Sequence, residues 1–263
     1  GIFALSAPLA GALVVAQFSW HAAFVALGIF GLAVFAWVWF FFGESLPPRT
    51  PVPDADVEVS ATRAVLADAR FRAWTAVLAA SYTTLFCFLL SSGFVYIKVF
   101  GLSPLACGLV LAGNSLSYIA GTYWCRHLLQ RRTPDRAVAL SSRFSIAGGL
   151  LMLAVALVAG TPQPWAMIAG QYLIAVGHGV NQPCGQAGAV AGFPQHAGRA
   201  AAISGFVMML AAFVVGQAIA PFLGVSAWPL VLTNAVGGTL IALAAGVLVQ
   251  RAYAGTTNAS AAG

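Results

Sequence analysis

The chain has 263 residues, of which 60% are hydrophobic and only 7% charged, and its formal net charge is +6. A soluble domain carries about 25% charged residues, so this composition excludes an ordinary soluble globular protein. The excess charge sits on arginines between long apolar runs, which points to loops at a membrane surface and away from nucleic acid as a partner.

A helix crosses a ~30 Å hydrocarbon layer with about 20 apolar residues. The uncharged segments Trp74 to Ile97 and Ala200 to Gln250 both exceed that length. A transmembrane barrel would alternate apolar and polar residues, and Leu150 to Val158 does not. The expected class is an all-α integral membrane bundle of about eight transmembrane helices.

In chain order, the first helix covers about 1–16, and Gln17 to Trp20 forms a turn before a second over about 21–42. Residues 43–72 read as a linker, with Pro47, Pro48, Pro51 and Pro53 followed by Asp54, Asp56 and Glu58, and with a short amphipathic helix over about 60–69. The third helix covers 73–97 and the fourth 104–125. A basic loop over 126–136 carries Arg126, Arg131, Asp135 and Arg136. The fifth helix covers 137–159, and Thr161 to Pro164 breaks the apolar run. The sixth covers 165–187, the seventh 200–222, the eighth 228–250, and 251–263 is a flexible tail.

Loop charges test this threading. With the linker in the cytoplasm, that side also holds Arg49, Arg63, Arg70, Arg72, Arg126, Arg131, Arg132, Arg136, Arg199 and Arg251, while the other side holds Lys98. That asymmetry obeys the positive-inside rule, and it places the linker and the tail in the cytoplasm of a cell inner membrane. Arg143 falls inside the fifth helix, close enough to its start to snorkel to the cytoplasmic edge. The organisation is thus two helices of a first half-bundle (1–42), a linker (43–72) and a six-helix second half-bundle (73–250). The chain opens on Gly1 within apolar sequence, with neither a basic segment nor a cleavage site, so the opening is not a signal peptide. It reads as a fragment that lacks the first four helices of a twelve-helix carrier.

Cys87, Cys107, Cys125 and Cys184 lie in apolar runs without CxxC or metal-ligand spacing, so they read as small buried hydrophobes, with no metal and no cofactor. The sequon Asn258-Ala-Ser260 falls in the tail and reads as chance.

Three groups of motifs then bring a family into view. Ala7-Pro8-Leu9-Ala10-Gly11-Ala12 matches an antiporter core of (Gly/Ala)-Pro-x-x-Gly-(Gly/Ala), and Phe18-Ser19-Trp20-His21-Ala22-Ala23-Phe24 leads to Glu44-Ser45-Leu46-Pro47. Gly177-x-Gly179 with Pro183 precedes Phe193-Pro194, Ala197-Gly198-Arg199-Ala200 and Ala227-Trp228-Pro229. Together these resemble the bicyclomycin/chloramphenicol-resistance (Bcr/CflA) drug-proton antiporters of the major facilitator superfamily. The resemblance departs at His21, where arginine is usual, and Gly121-x₄-Arg126-x₄-Arg131 is a degenerate echo of the family's signature loop. It implies a transporter, monomeric when full length, whose proton-coupling acid lies in an early helix that this sequence does not contain. It also implies that Ala7, Pro8 and Gly11 form a conformational motif sealing one side of the cavity.

The helices themselves add faces. Pro8 bends its helix, and Ala4, Ala7 and Gly11 thin one side of it. Gly113, Ser117 and Gly121 form a packing stripe on the fourth helix beside Asn114 and Tyr118. Gln171, His178, Gln182 and Gln186 share a face of the sixth helix, with Asn181 beside it. Polar groups in hydrocarbon need partners, so that face lines either a water-filled cavity or hydrogen-bonding neighbours. His178 is a proton-relay candidate or a hydrogen-bonded structural residue. The third helix presents Tyr82 and Phe86 with Leu89 and Gly93, and the seventh presents Phe206, Met209, Phe213 and Gln217. Such aromatic and methionine surfaces either accommodate lipophilic compounds of varied shape or simply pack. The eighth helix, with Gly238, Ala242 and Gly246, reads as a packing or lipid-facing helix without a site.

The leading function is a secondary transporter that exports small amphipathic compounds in exchange for protons by alternating access across a lipid bilayer. The alternatives are a metabolite carrier of the same fold, or a truncated scaffold that does not transport. A membrane-embedded enzyme would need paired acids, a metal cluster or a nucleophile and base, and no helix carries such a pattern.

Overall fold

In a computed structural model, the structure describes residues 18–43 and 55–254. Ala7, Pro8, Gly11, most of the linker and the tail beyond Ala254 lie outside the described residues. The chain divides into two compact units, Gly1–Val59 and Ser60–Gly263.

In the first unit, α1 (Trp20–Phe41) starts at Ser19, whose hydroxyl accepts from the Ala22 amide. Its side chains, including Phe30, Trp37, Trp39 and Phe40, are exposed within that unit. A helix hydrophobic on all sides belongs in hydrocarbon or within a larger helical bundle.

α2 (Ala55–Ala67) spans the division between the units, and its Val65 is buried in the second. Asp68 separates it from α3 (Ala69–Ser92), and the carboxylate caps α3 by accepting from the Phe71 amide at 2.7 Å. α3 then widens into a π-helical stretch, Gly93–Val99. Three further helices open on proline, whose missing N–H costs nothing in a first turn. These are α4 (Pro104–Leu129), α5 (Pro134–Val158) and α6 (Pro164–Ala191). α7 (Ala197–Ile219) and α8 (Trp228–Leu243) complete the unit, and α8 too runs into a π-helical stretch, Ala244–Val249.

The predicted basic loop shrinks to residues 130–133. Arg126 belongs to the last turn of α4, Asp135 and Arg136 open α5, and only Arg131 of those four sits in the connection. The charged stretch looked non-helical, but a helix C-terminus favours cations, and Pro134 is well placed to start a helix.

Six described helices are long and apolar enough to cross a membrane: His21–Phe41, Ala69–Val99, Pro104–Leu129, Pro134–Val158, Pro194–Phe222 and Trp228–Ala254. The 28-residue α6 is long enough, but its polar side chains lower its hydropathy. It packs against α3, α4, α5 and α7, so much of its surface meets protein in place of lipid. Backbones come close where glycine permits. Gly121 of α4 lies against the Val176 carbonyl, and Gly179 of α6 against the Tyr118 carbonyl, where any Cβ would collide. The small-residue stripe of the fourth helix therefore docks α4 on α6.

Two apolar cores fill the second unit. One gathers Val65, Phe71, Trp74, Cys125, Leu128, Val138, Val180, Cys184 and Val249. The other gathers Phe88, Tyr96, Cys107, Val110, Met152, Met167, Ile174, Leu230 and Val231. Along α3, α4, α5 and α8, buried polar residues fall between the segments that feed the two cores, and on α6 His178 does so, with Gln171 and Asn181 just inside the second and the first.

Candidate functional site

The residues between the cores form a polar layer. It comprises Ser81 of α3, Asn114 of α4, Ser141 and Ser145 of α5, Gln171, His178 and Asn181 of α6, and Asn234 of α8, all buried. His178 lies halfway along α6, and Ser145 lies near the middle of α5. An apolar interior makes an unpaired polar atom costly, and these groups pair across helices.

Three sets of bonds carry the layer. Gln171 Nε2 donates to Asn114 Oδ1 at 3.3 Å, and Asn234 Nδ2 donates to Gln171 Oε1 at 3.2 Å, joining α4, α6 and α8. Ser141 Oγ donates to Asn181 Oδ1 at 2.7 Å, and Asn181 Nδ2 donates to Ser145 Oγ at 3.4 Å, joining α5 to α6. His178 Nδ1 lies 2.8 Å from Ser81 Oγ, and its ring lies 5.6 Å from that of Tyr118. α6 is thereby tied to α3, α4, α5 and α8. Each interhelical bond in a membrane contributes about 0.6 kcal/mol on average.

Beside the layer lies a less enclosed surface. Tyr82 and Phe86 are half-buried and stacked, with centroids 6.3 Å apart, and Tyr118 is half-buried too. Gln182, one turn beyond His178, donates to Met208 Sδ at 3.6 Å. Among the described residues its buried carbonyl oxygen has no partner. Met208 also lines an opening of ≈ 480 Å³ between α3, α6 and α7, along with Leu78, Gln186 and Ser204. A larger crevice of ≈ 800 Å³ between α3, α7 and α8 is walled by alanine, valine and leucine, with Thr83, Thr84 and Thr233 as its polar residues. Both have apolar walls with a few polar groups, the pattern of a ligand site, and the smaller one is walled by Met208, which accepts from the Gln182 amide.

The Major Facilitator Superfamily family model matches residues 1–215. The chain belongs to that superfamily. No curated protein matches it. Members are transporters that work in a lipid bilayer on small molecules, and the helical bundle fits that class.

In this major facilitator chain the sequence-selected residues separate into three environments. Asn114, Gln171, His178 and Asn181 are buried in the polar layer. Tyr82, Phe86, Tyr118 and Gln182 are half-buried beside it. Met209, Phe213 and Gln217 of α7 are exposed on the surface of the second unit. Arg126, Arg131 and Arg136 are exposed and Asp135 is buried. Asn234, like Ser141 and Ser145, is a residue that face-based reading misses. A single polar side chain in an apolar helix makes no periodic stripe, yet an isolated asparagine in hydrocarbon needs a partner, and that was the available signal.

Proposed function

We propose that this transporter exports small amphipathic compounds in exchange for protons by alternating access. In this reading Tyr82, Phe86, Tyr118 and Gln182 contact the substrate, with Met209, Phe213 and Gln217 extending the surface along α7. Asn114, Gln171, His178 and Asn181 hold the wall behind them. The observation that carries the reading is the Gln182 carbonyl oxygen, unpartnered among the described residues, on a side chain whose amide donates to Met208, a wall residue of a mainly apolar opening. A stacked aromatic pair and one spare acceptor suit compounds with an apolar body and a donor group. Drug-proton exchange itself is supported by the motif resemblance, while the charge asymmetry of the loops supports the threading through the membrane.

The test uses the protein encoded by the complete gene, reconstituted in vesicles with a trapped pH indicator. Amphipathic amines and neutral amphipathic compounds should each move protons when added. Gln182→Leu should weaken response to donor-bearing compounds more than to those without a donor. Phe86→Ala should weaken both. A protein that moves protons with none of the panel sinks the drug-exchange reading and leaves a metabolite carrier of the same fold.

A further inference from the structure

α5 packs chiefly on α6 and α8. The stripe turned away from them runs through Arg136, Arg143, Leu150 and Leu157, one heptad apart each time, and all four are exposed. Leu150 and Leu157 are ordinary lipid-facing residues. Arg143 is not. It lies about 13 Å along the helix from Pro134, at ~1.5 Å per residue. A 25-residue helix is only a few ångström longer at each end than a ~30 Å hydrocarbon layer. Arg143 therefore starts well inside the apolar region, where an unpaired guanidinium is expensive. Among the described residues no carboxylate pairs with Arg136 or Arg143.

A second observation shows a side chain at the same depth that also draws lipid headgroups inward. Trp124 of α4 meets Phe144 of α5 edge to face, with ring centroids 5.1 Å apart. That contact brings Trp124 to the height of Arg143. Tryptophan favours the headgroup level of a bilayer. An exposed cation and a half-buried indole thus share one level, between two helices that otherwise barely touch. Arg136 stands about 10 Å nearer the helix end on the same stripe, so a cation also lines the approach.

We propose that the cleft between α4 and α5 holds an anionic phospholipid, its phosphate paired with Arg143 and Arg136 and its upper chain or glycerol against Trp124 and Phe144. A guanidinium group matches a phosphodiester monoanion in charge and in bidentate geometry, and a second one strengthens the attraction. The acyl chains continue along Leu150 and Leu157. A lipid already in the bilayer reaches this depth without dehydrating a new charge, which a soluble anion would have to do. This inference needs only that α5 lies in a bilayer, so it stands or falls apart from any transported substrate.

Brominated lipids test it, because bromine quenches nearby tryptophan. The chain and its Trp124→Phe variant are reconstituted in phosphatidylcholine bilayers containing a fixed fraction of either brominated phosphatidylglycerol or brominated phosphatidylcholine. The difference between the two proteins isolates Trp124. Phosphatidylglycerol should be enriched about fivefold per arginine at this site, and quenching of Trp124 should be correspondingly stronger with bromine on that lipid. Arg143→Gln should remove most of the preference and Arg143→Lys should keep much of it. Equal quenching by both lipids in the unsubstituted chain overturns the proposal. So does a preference that survives the joint Arg136→Gln and Arg143→Gln substitution. Soluble glycerol phosphate should leave the preference intact, and displacement by it would assign the site to free phosphoesters instead.

Discussion

Gln171, His178 and Asn181 on α6 are buried, whereas Phe206, Met209, Phe213 and Gln217 on α7 are all exposed. In sequence both helices show a distinctive face at helical spacing, and both faces suit a cavity wall. The buried residues of that α6 face, Gln171, His178 and Asn181, are met by asparagine and serine on four other helices. The apolar face of α7 asks for no partner, so nothing in the second unit draws it inward. Polar groups in a low-dielectric interior specify their neighbours, because the alternative is an unpaired buried atom. Aromatic and methionine side chains accept lipid, protein or ligand nearly equally.

The sharpest way to break this contrast acts on the contact that seats α6. Gly121→Leu places a side chain against the Val176 carbonyl. The backbones must part, and the variant should lose about 3 kcal/mol or more, seen as a collapse in melting temperature in detergent. A variant that melts like the parent means that α4 and α6 do not pack as described.

Next in size is the chain of amides. Gln171→Leu leaves Asn114 Oδ1 without its donor and Asn234 Nδ2 with only the weak acceptor Met152 Sδ, at a cost of about 1–2 kcal/mol. A double-mutant cycle with Asn234→Leu should give a coupling of about 0.5 kcal/mol or more. Additive effects would show that the two residues act separately. Ser81→Ala should cost less, about 0.6 kcal/mol, by removing the partner of His178.

The smallest stability effects belong to α7. Phe213→Ala and Met209→Ala should each change stability by only about 0.5 kcal/mol, since both side chains are exposed. Under the proposed function they should still alter which compounds move protons. Large destabilisation by either would place that face in a packed interior and erase the contrast with α6.

Much of the membrane bundle was legible from residue order. The positions of the described helices followed from apolar runs and from the proline at 104, whereas Pro134 and Pro164, read as loop and break, proved to open helices. The main misreadings were at boundaries, as where the connection after α4 proved much shorter than its arginines suggested. The site was legible only in part. Gln171 and Asn181 announced themselves as polar groups needing partners, but their partners are 57 and 40 residues away, at Asn114 and Ser141. Asn234 gave no periodic signal and became visible only through its bond to Gln171.

Sequence alone determined that this protein is helical and membrane-spanning, because hydrocarbon permits no other use for such long uncharged runs of this pattern. It also determined which side chains could not be left facing lipid. Tertiary structure alone decided who satisfies whom. Hydrogen bonds between helices depend on angle and height within the bundle, and close approach at Gly121 and Gly179 sets both. A chain's order of residues does not encode those distances locally. They emerge only when the helices pack.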